Sequence, residues 1–240
     1  MIDASLAAWL LDADPALRWQ VERDLLRADA ATWQATRARV ATEGLGAELL
    51  RHQTADGMWA GGAFFPAGWE GAADEAQPWT ATTWVLKDLR EWGLAASVLA
   101  GTAEKLSLAR WEYDDLPYWD GEVDCCINSW TLSNGLWLGA DVDGIVDWFL
   151  THQLADGGWN CEWVDGATAS SFPSTLNALI ALLDYRMGTG DAERVAAARR
   201  GGVSAEPFAV PTSIDGGAVR ALGAEPHPSS PRLLQRAGSG

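Results

Sequence analysis

"RHQTADGMWA" (residues 51–60) and "THQLADGGWN" (residues 151–160) are one phrase written twice. Each reads His-Gln, then Ala-Asp-Gly, then Trp, at the same internal spacing and a hundred residues apart. Both copies end a helix-forming run and pass into turn chemistry. Asp56-Gly57 and Asp156-Gly157 each supply a glycine that tolerates positive φ. Gln53 and Gln153 then stand at helix ends, where a side-chain amide can bond backbone groups. Trp59 and Trp159 follow at a fixed offset, each able to cover an apolar neighbour. The phrase reads as a structural clip joining one helix pair to the next. His52 and His152 belong to it as surface or packing residues.

The signals around the clips are helical. Asp14-Pro15 is an N-cap and first-turn pair, with Leu17, Val21 and Leu25 continuing one face. Asp141 precedes Val142, Ile145, Val146, Phe149 and Leu150 at helical spacing. Pro173 suits another first turn, with Leu176, Leu179, Ile180 and Leu183 behind it. Alternating strand-like runs are almost absent, so the chain is all-α. Three segments, 78–94, 122–139 and 170–185, are apolar over most of their circumference, and Trp84, Trp130 and Leu176 recur within them 46 residues apart. One-sided helices such as 142–153 lie between. Apolar-all-round helices are buried and one-sided ones face water, so a two-helix period predicts a repeat array with an inner and an outer layer.

Composition narrows the partners. A net charge of -16 repels phosphate backbones and excludes nucleic acid. No apolar run reaches spanning length, and the start lacks a signal-peptide pattern, so a soluble, cytoplasmic protein that does not span a membrane is expected. Three cysteines, two of them adjacent, make a poor disulfide framework and fit free thiols or a metal site better. All 15 tryptophans fall between Trp9 and Trp163, as core or as the lining of an apolar pocket.

Gln-x-x-x-Gly-x-Trp at helix ends, in an array of this period, resembles the QW motif of terpenoid cyclases. The chain is similar to squalene–hopene cyclases, protein prenyltransferase β subunits and short squalene-cyclase-like repeat proteins, over roughly residues 1–200. The resemblance implies an α/α toroid with inner and outer helix rings, and an isoprenoid bound in a Trp-lined central cavity. It leaves the reaction open.

Two chemistries compete for "WEYDDLPYWDGEVDCCINSW" (111–130), which also carries Glu112, Asp120 and Glu122. The cyclases of this resemblance protonate an alkene with Asp-x-Asp-Asp. Glu112-Tyr113-Asp114-Asp115 is a near match, in which Asp115 shares a proton with Asp114. The prenyltransferases hold zinc at Asp-x-Cys plus a later His. Asp124 and Cys126 match the first two ligands, whereas Pro173 stands where the His belongs. Cys161 is then the candidate third ligand. The plainer alternative makes Asp124 an N-cap with buried cysteines behind it.

From Gly201 the helix-pair pattern stops. Residues 201–240 hold five of the ten prolines and no tryptophan, and read as a disordered tail after a domain at 1–200. Read one base later, permitted codons for 202–219 and 232–238 can spell segments resembling the next helices of that family, so a frameshift is a hypothesis that the coding DNA decides. On that reading the toroid is incomplete at its C-terminal end and leaves apolar surface wet. Three functions stand: an isoprenoid-binding or isoprenoid-converting protein, a non-catalytic repeat remnant, and an α/α-toroid glycoside hydrolase using Trp platforms and paired carboxylates.

Overall fold

The computed structural model describes residues 3–71, 76–112 and 114–199. The segment 201–240, set apart above as a tail, lies outside them. Among the described residues the chain is helical and forms no strand, only the isolated bridges Trp59–Gly62 and Arg110–Pro117. None of these helices is long and apolar enough to cross a membrane.

Capping chemistry sets the first helices. Asp3 accepts the amides of Ser5 and Leu6 to start α1 (Ala4–Leu11). Asp14 accepts the Ala16 amide before Pro15 to start α2 (Pro15–Gln20). α2 runs into a π-helical turn, Val21–Leu25, and the wider turn breaks the expected face. Val21 is buried as expected, but Leu17 and Leu25 are exposed, and Ala16 and Trp19 are buried in their place. Trp19 anchors this end, its indole donating to the Trp92 carbonyl and lying beneath the guanidinium of Arg23. α3 (Ala30–Ala38) packs on α2, and α4 (Gly44–Arg51) leads to the first clip.

The two clips have the same geometry. In each, the Gln amide donates to the carbonyl four residues on: Gln53 to Gly57 at 3.1 Å, Gln153 to Gly157 at 2.7 Å. Each indole is buried and donates back to the preceding helix, Trp59 to Leu49 at 2.7 Å and Trp159 to Phe149 at 3.0 Å. Each Trp amide then donates to a threonine hydroxyl on the following helix, Thr82 or Thr175, at 3.1 Å in both copies. A clip thus ties the helix before it to the helix after it through one residue, by its indole and its backbone amide. The expected structural role holds, and the threonines complete it. His52 is exposed beside Glu48, while His152 stacks on Trp148, as expected of surface and packing residues.

The three apolar segments become α5 (Thr82–Glu91), α7 (Cys125–Leu138) and α9 (Phe172–Thr189). α7 lies between the other two. The shorter α6 (Thr102–Leu106), α8 (Asp143–Thr151) and α10 (Ala192–Arg199) border them, α6 against α7, α8 against α7, and α10 against α8 and α9. α8 buries Ile145, Val146 and Phe149 as its spacing predicts, with Asp141 accepting the Asp143 amide ahead of it. A polar strap crosses the row. Arg90 of α5 donates to Asn134 of α7 and pairs with Asp184 of α9, and Ser133 donates to the same carboxylate at 2.7 Å. α7 buries other polar side chains by turning them onto backbone: Ser129 onto Cys125, Thr131 onto Ile127.

The threonines also fix the register. Thr82 and Thr175 do the same work 93 residues apart, so Trp84 corresponds to Asn177 rather than to Leu176. The second interval carries one extra residue. In this register Thr83 and Arg90, which meet α7, correspond to Leu176 and Leu183 of α9. Those two residues, with Phe172, Ile180 and Met187, form an exposed apolar stripe on α9, whose buried face is Ala178, Ala181, Leu182 and Tyr185.

Two outcomes check this architecture by urea unfolding. Trp59→Phe and Trp159→Phe each lose one indole hydrogen bond to a helix-end carbonyl, which costs about 1 kcal/mol. The clips share no partner, so the double variant sums the two losses to within about 0.5 kcal/mol. Leu182→Ala, in the core, costs about 2–5 kcal/mol, whereas Ile180→Ala on the exposed stripe changes stability by no more than about 0.5 kcal/mol.

Candidate metal centre

α7 begins at Cys125 because three side chains prepare its first turn. Gly121, at φ 84°, lets the backbone pass against Asn128, whose carbonyl oxygen a Cβ there would meet at 2.4 Å. Asn128 then clamps Glu122 from both sides, accepting its amide at 2.6 Å and donating to its carbonyl at 2.5 Å. Glu122 in turn accepts the Asp124 amide at 2.7 Å, and Asp124 caps the helix through the Cys126 amide at 3.0 Å. The N-cap reading of Asp124 is therefore correct, yet it uses only one carboxylate oxygen.

The second clip delivers the partner cysteine. Two residues after Trp159, Cys161 opens a 3-10 turn, Cys161–Asp165, capped by Asn160. The indole of Trp163 pins that turn to the Val123 carbonyl at 2.8 Å. Asp124, Cys126 and Cys161 thereby each offer a ligand atom within 4.8 Å of the other two, and all three are half-buried. The sulfurs of Cys126 and Cys161 are 3.2 Å apart.

α9 supplies hydrogen-bond donors to both sulfurs. Ser174 approaches Cys161 at 3.2 Å, and the Asn177 amide donates to Cys126 at 3.4 Å. The Cys126 backbone amide also donates to Cys161. Such donors favour thiolates, as is usual around metal-bound sulfur. Against them, contact with Cys161 and then burial push the Cys126 thiol up. Contact with Cys125, burial and the charge of Asp124 push Cys161 up. Two thiols and a carboxylate packed this closely cannot all be anionic unless a cation sits among them. The donor set is therefore one that a zinc ion fits: two sulfurs and one oxygen, with one position of a tetrahedron left for water or substrate.

Cys161, the expected third ligand, is thus brought to Asp124 and Cys126 through the clip, while Pro173 sits in the first turn of α9. The other sequence candidates lie apart from this group. Asp114 and Asp115 are exposed, both with left-handed backbone at φ 52° and 51°. Glu112, first in the Glu-Tyr-Asp-Asp match, accepts the amides of Ala63 and Phe64 at 2.6 and 3.1 Å, and so buttresses the loop after the first clip. Sequence reasoning did not single out Ser174, Asn177 or Glu122. The first two stand three apart on one face of α9, a spacing that would have marked them once α9 was paired with Cys126.

Beside the sulfurs lies an aromatic row. Trp130 is one turn beyond Cys126 on α7, and its ring meets Trp84 at 4.6 Å, which meets Phe64 at 4.9 Å and Trp79 at 4.5 Å. An open cleft of about 380 Å3 lies elsewhere, between α3 and residues 93–98, and no ligand candidate lines it.

Glu122 makes the site's pH behaviour measurable. Burial, helped by repulsion from Asp124 and Asp114, raises its carboxyl from 4.5 to about 7, against the Asp124 amide that lowers it. The folded chain then keeps a proton that the unfolded chain releases, so metal-free protein loses stability as pH rises from 4.5 to about 7 and levels off above. Glu122→Gln is expected to remove up to about 3 kcal/mol of that fall, read as the difference between urea midpoints at pH 5 and pH 8 in chelator-treated protein. Equal pH slopes for the two proteins would show that Glu122 ionises freely.

Compared with models of known protein families, with curated proteins and with solved structures, the chain matches none.

Proposed function

We propose that this is a repeat protein of the squalene-cyclase and prenyltransferase type, an α/α toroid in its arrangement, which holds zinc at Asp124, Cys126 and Cys161 and takes an isoprenoid along its tryptophans. The observation that carries the reading is the convergence of those three ligand atoms at the start of α7. The twice-built clip and the row of α5, α7 and α9 support the architecture.

Of the two chemistries left open by the sequence, metal-assisted prenyl chemistry is the better supported. Alkene protonation requires a sheltered, strong acid, and Asp114 and Asp115 are exposed. Bound zinc supplies a Lewis acid that lowers the pKa of a thiol or water in its open position. The chain's own residues do the rest. Asp124 and the two sulfurs fix that position, Asn177 and Ser174 orient the sulfurs, and Trp130 and Trp84 offer an apolar wall where a polyprenyl chain lies out of water.

Purified protein is expected to carry about one zinc per chain. Cys126→Ala and Cys161→Ala each reduce the content at least tenfold with helical circular dichroism retained, as the loss of one of three ligands requires. Zinc-loaded protein is expected to consume a prenyl diphosphate in the presence of a thiol acceptor. Folded wild-type protein that takes up no zinc would overturn the reading.

A further inference from the structure

Cys126 and Cys161 are more than two ligands that happen to be close. Their sulfurs lie at 3.2 Å, inside ordinary contact, and each belongs to a different element: one to the first turn of α7, the other to the short 3-10 turn after the second clip. A disulfide bond needs about 2.05 Å between sulfurs. The gap that remains is about 1 Å. Both residues are half-buried, so a small oxidant reaches them.

The third thiol also touches Cys161 but is shut off from solvent. Successive residues of a helix point about 100° from each other, so Cys125 turns into the core where Cys126 stays half-exposed. Cys125 is fully buried, with its sulfur 3.4 Å from the Ser174 carbonyl, while Cys126 looks to Cys161 and Asn177.

We propose that Cys126 and Cys161 are a redox modification site, joined by a reversible disulfide when the protein meets a hydroperoxide. One sulfur attacks the peroxide, forming an S–O bond as the O–O bond breaks and hydroxide or alkoxide departs with a proton from the thiol. The other sulfur then displaces the hydroxyl from that sulfenic acid, the S–S bond forms, and water leaves with the second proton. Two electrons pass from the sulfurs to the peroxide, and no other reactant is needed. The modification requires no metal. Its consequence, that two of three zinc ligands are withdrawn and the ion departs from Asp124 alone, rests on the reading of the site given above.

Hydrogen peroxide treatment of the full chain tests this, on zinc-loaded and on chelator-treated protein in parallel. Free thiols are expected to fall from the three of the sequence to one, with the 126–161 peptide pair recovered under non-reducing digestion and all three thiols restored by dithiothreitol. Cys125→Ala keeps the crosslink, and Cys161→Ser abolishes it; wild-type mapping decides the matter if either variant misfolds. In zinc-loaded protein the crosslink appears together with one equivalent of released zinc. A crosslink through Cys125, one between chains, or three persistent thiols overturns the inference. If zinc never binds but the 126–161 bond forms, the redox site stands and the metal role falls. If zinc binds and no bond forms, the reverse holds.

Discussion

The Trp159 indole N–H reaches the Phe149 carbonyl at the end of α8, while the Trp159 backbone amide is held by the Thr175 hydroxyl on α9. A buried carbonyl without a donor costs on the order of 1–3 kcal/mol, so the indole cannot swing away without exposing the end of α8 to that penalty. The ring is buried, and its edge packs on Phe149. One residue therefore fixes where α8 stops, where α9 begins and how the connecting turn is drawn between them. The Trp59 clip imposes the same constraint between α4 and α5. Everything placed two or three residues beyond either indole inherits that rigidity.

Cys161 is such a residue. In the first clip the position two residues after the indole is Gly61, and the neighbouring loop is held by the Glu112 carboxylate on backbone amides. In the second clip the same position is a cysteine, and the element facing it is the capped start of α7. The two corners share a scaffold and differ in what they carry. One residue differs against the same frame, and Asp124 serves twice: one oxygen caps the helix, and the carboxylate remains beside two sulfurs.

The duplicated phrase was legible because turn chemistry and a large aromatic are local signals, and both survive translation into three dimensions unchanged. Asp124 and Cys126 were legible for the same reason, being two residues apart. What spacing cannot convey is which face of a helix turns inward. Leu176, Ile180 and Leu183 follow a helical period faithfully, yet the face that meets α7 and α8 carries Ala178, Ala181, Leu182 and Tyr185. Apolar residues cover nearly the whole circumference of α9, so the pattern marks no unique side. The π-turn at Val21–Leu25 misled in a different way for Leu25, since one added residue rotates the side chains after it. The aspartates at 114 and 115 looked like an acid pair, but left-handed backbone and exposure leave them in the solvent-facing loop.

The one-residue slip between α5 and α9 has a chemical meaning. At the position where α5 has Trp84 and α7 has Trp130, the threonine register gives α9 Asn177. Two indoles at that position continue the aromatic row, and a third would add another ring beside Cys126. An amide there instead brings an N–H to 3.4 Å from the Cys126 sulfur. The row of α5, α7 and α9 thus changes its side chain at the step that meets the thiols. Both sulfurs are half-buried, and the same charges interact more strongly in a less polar surrounding. The hydrogen bonds of Asn177 and Ser174 are therefore best placed at the boundary itself, where a thiolate would otherwise lose its hydration with nothing to replace it.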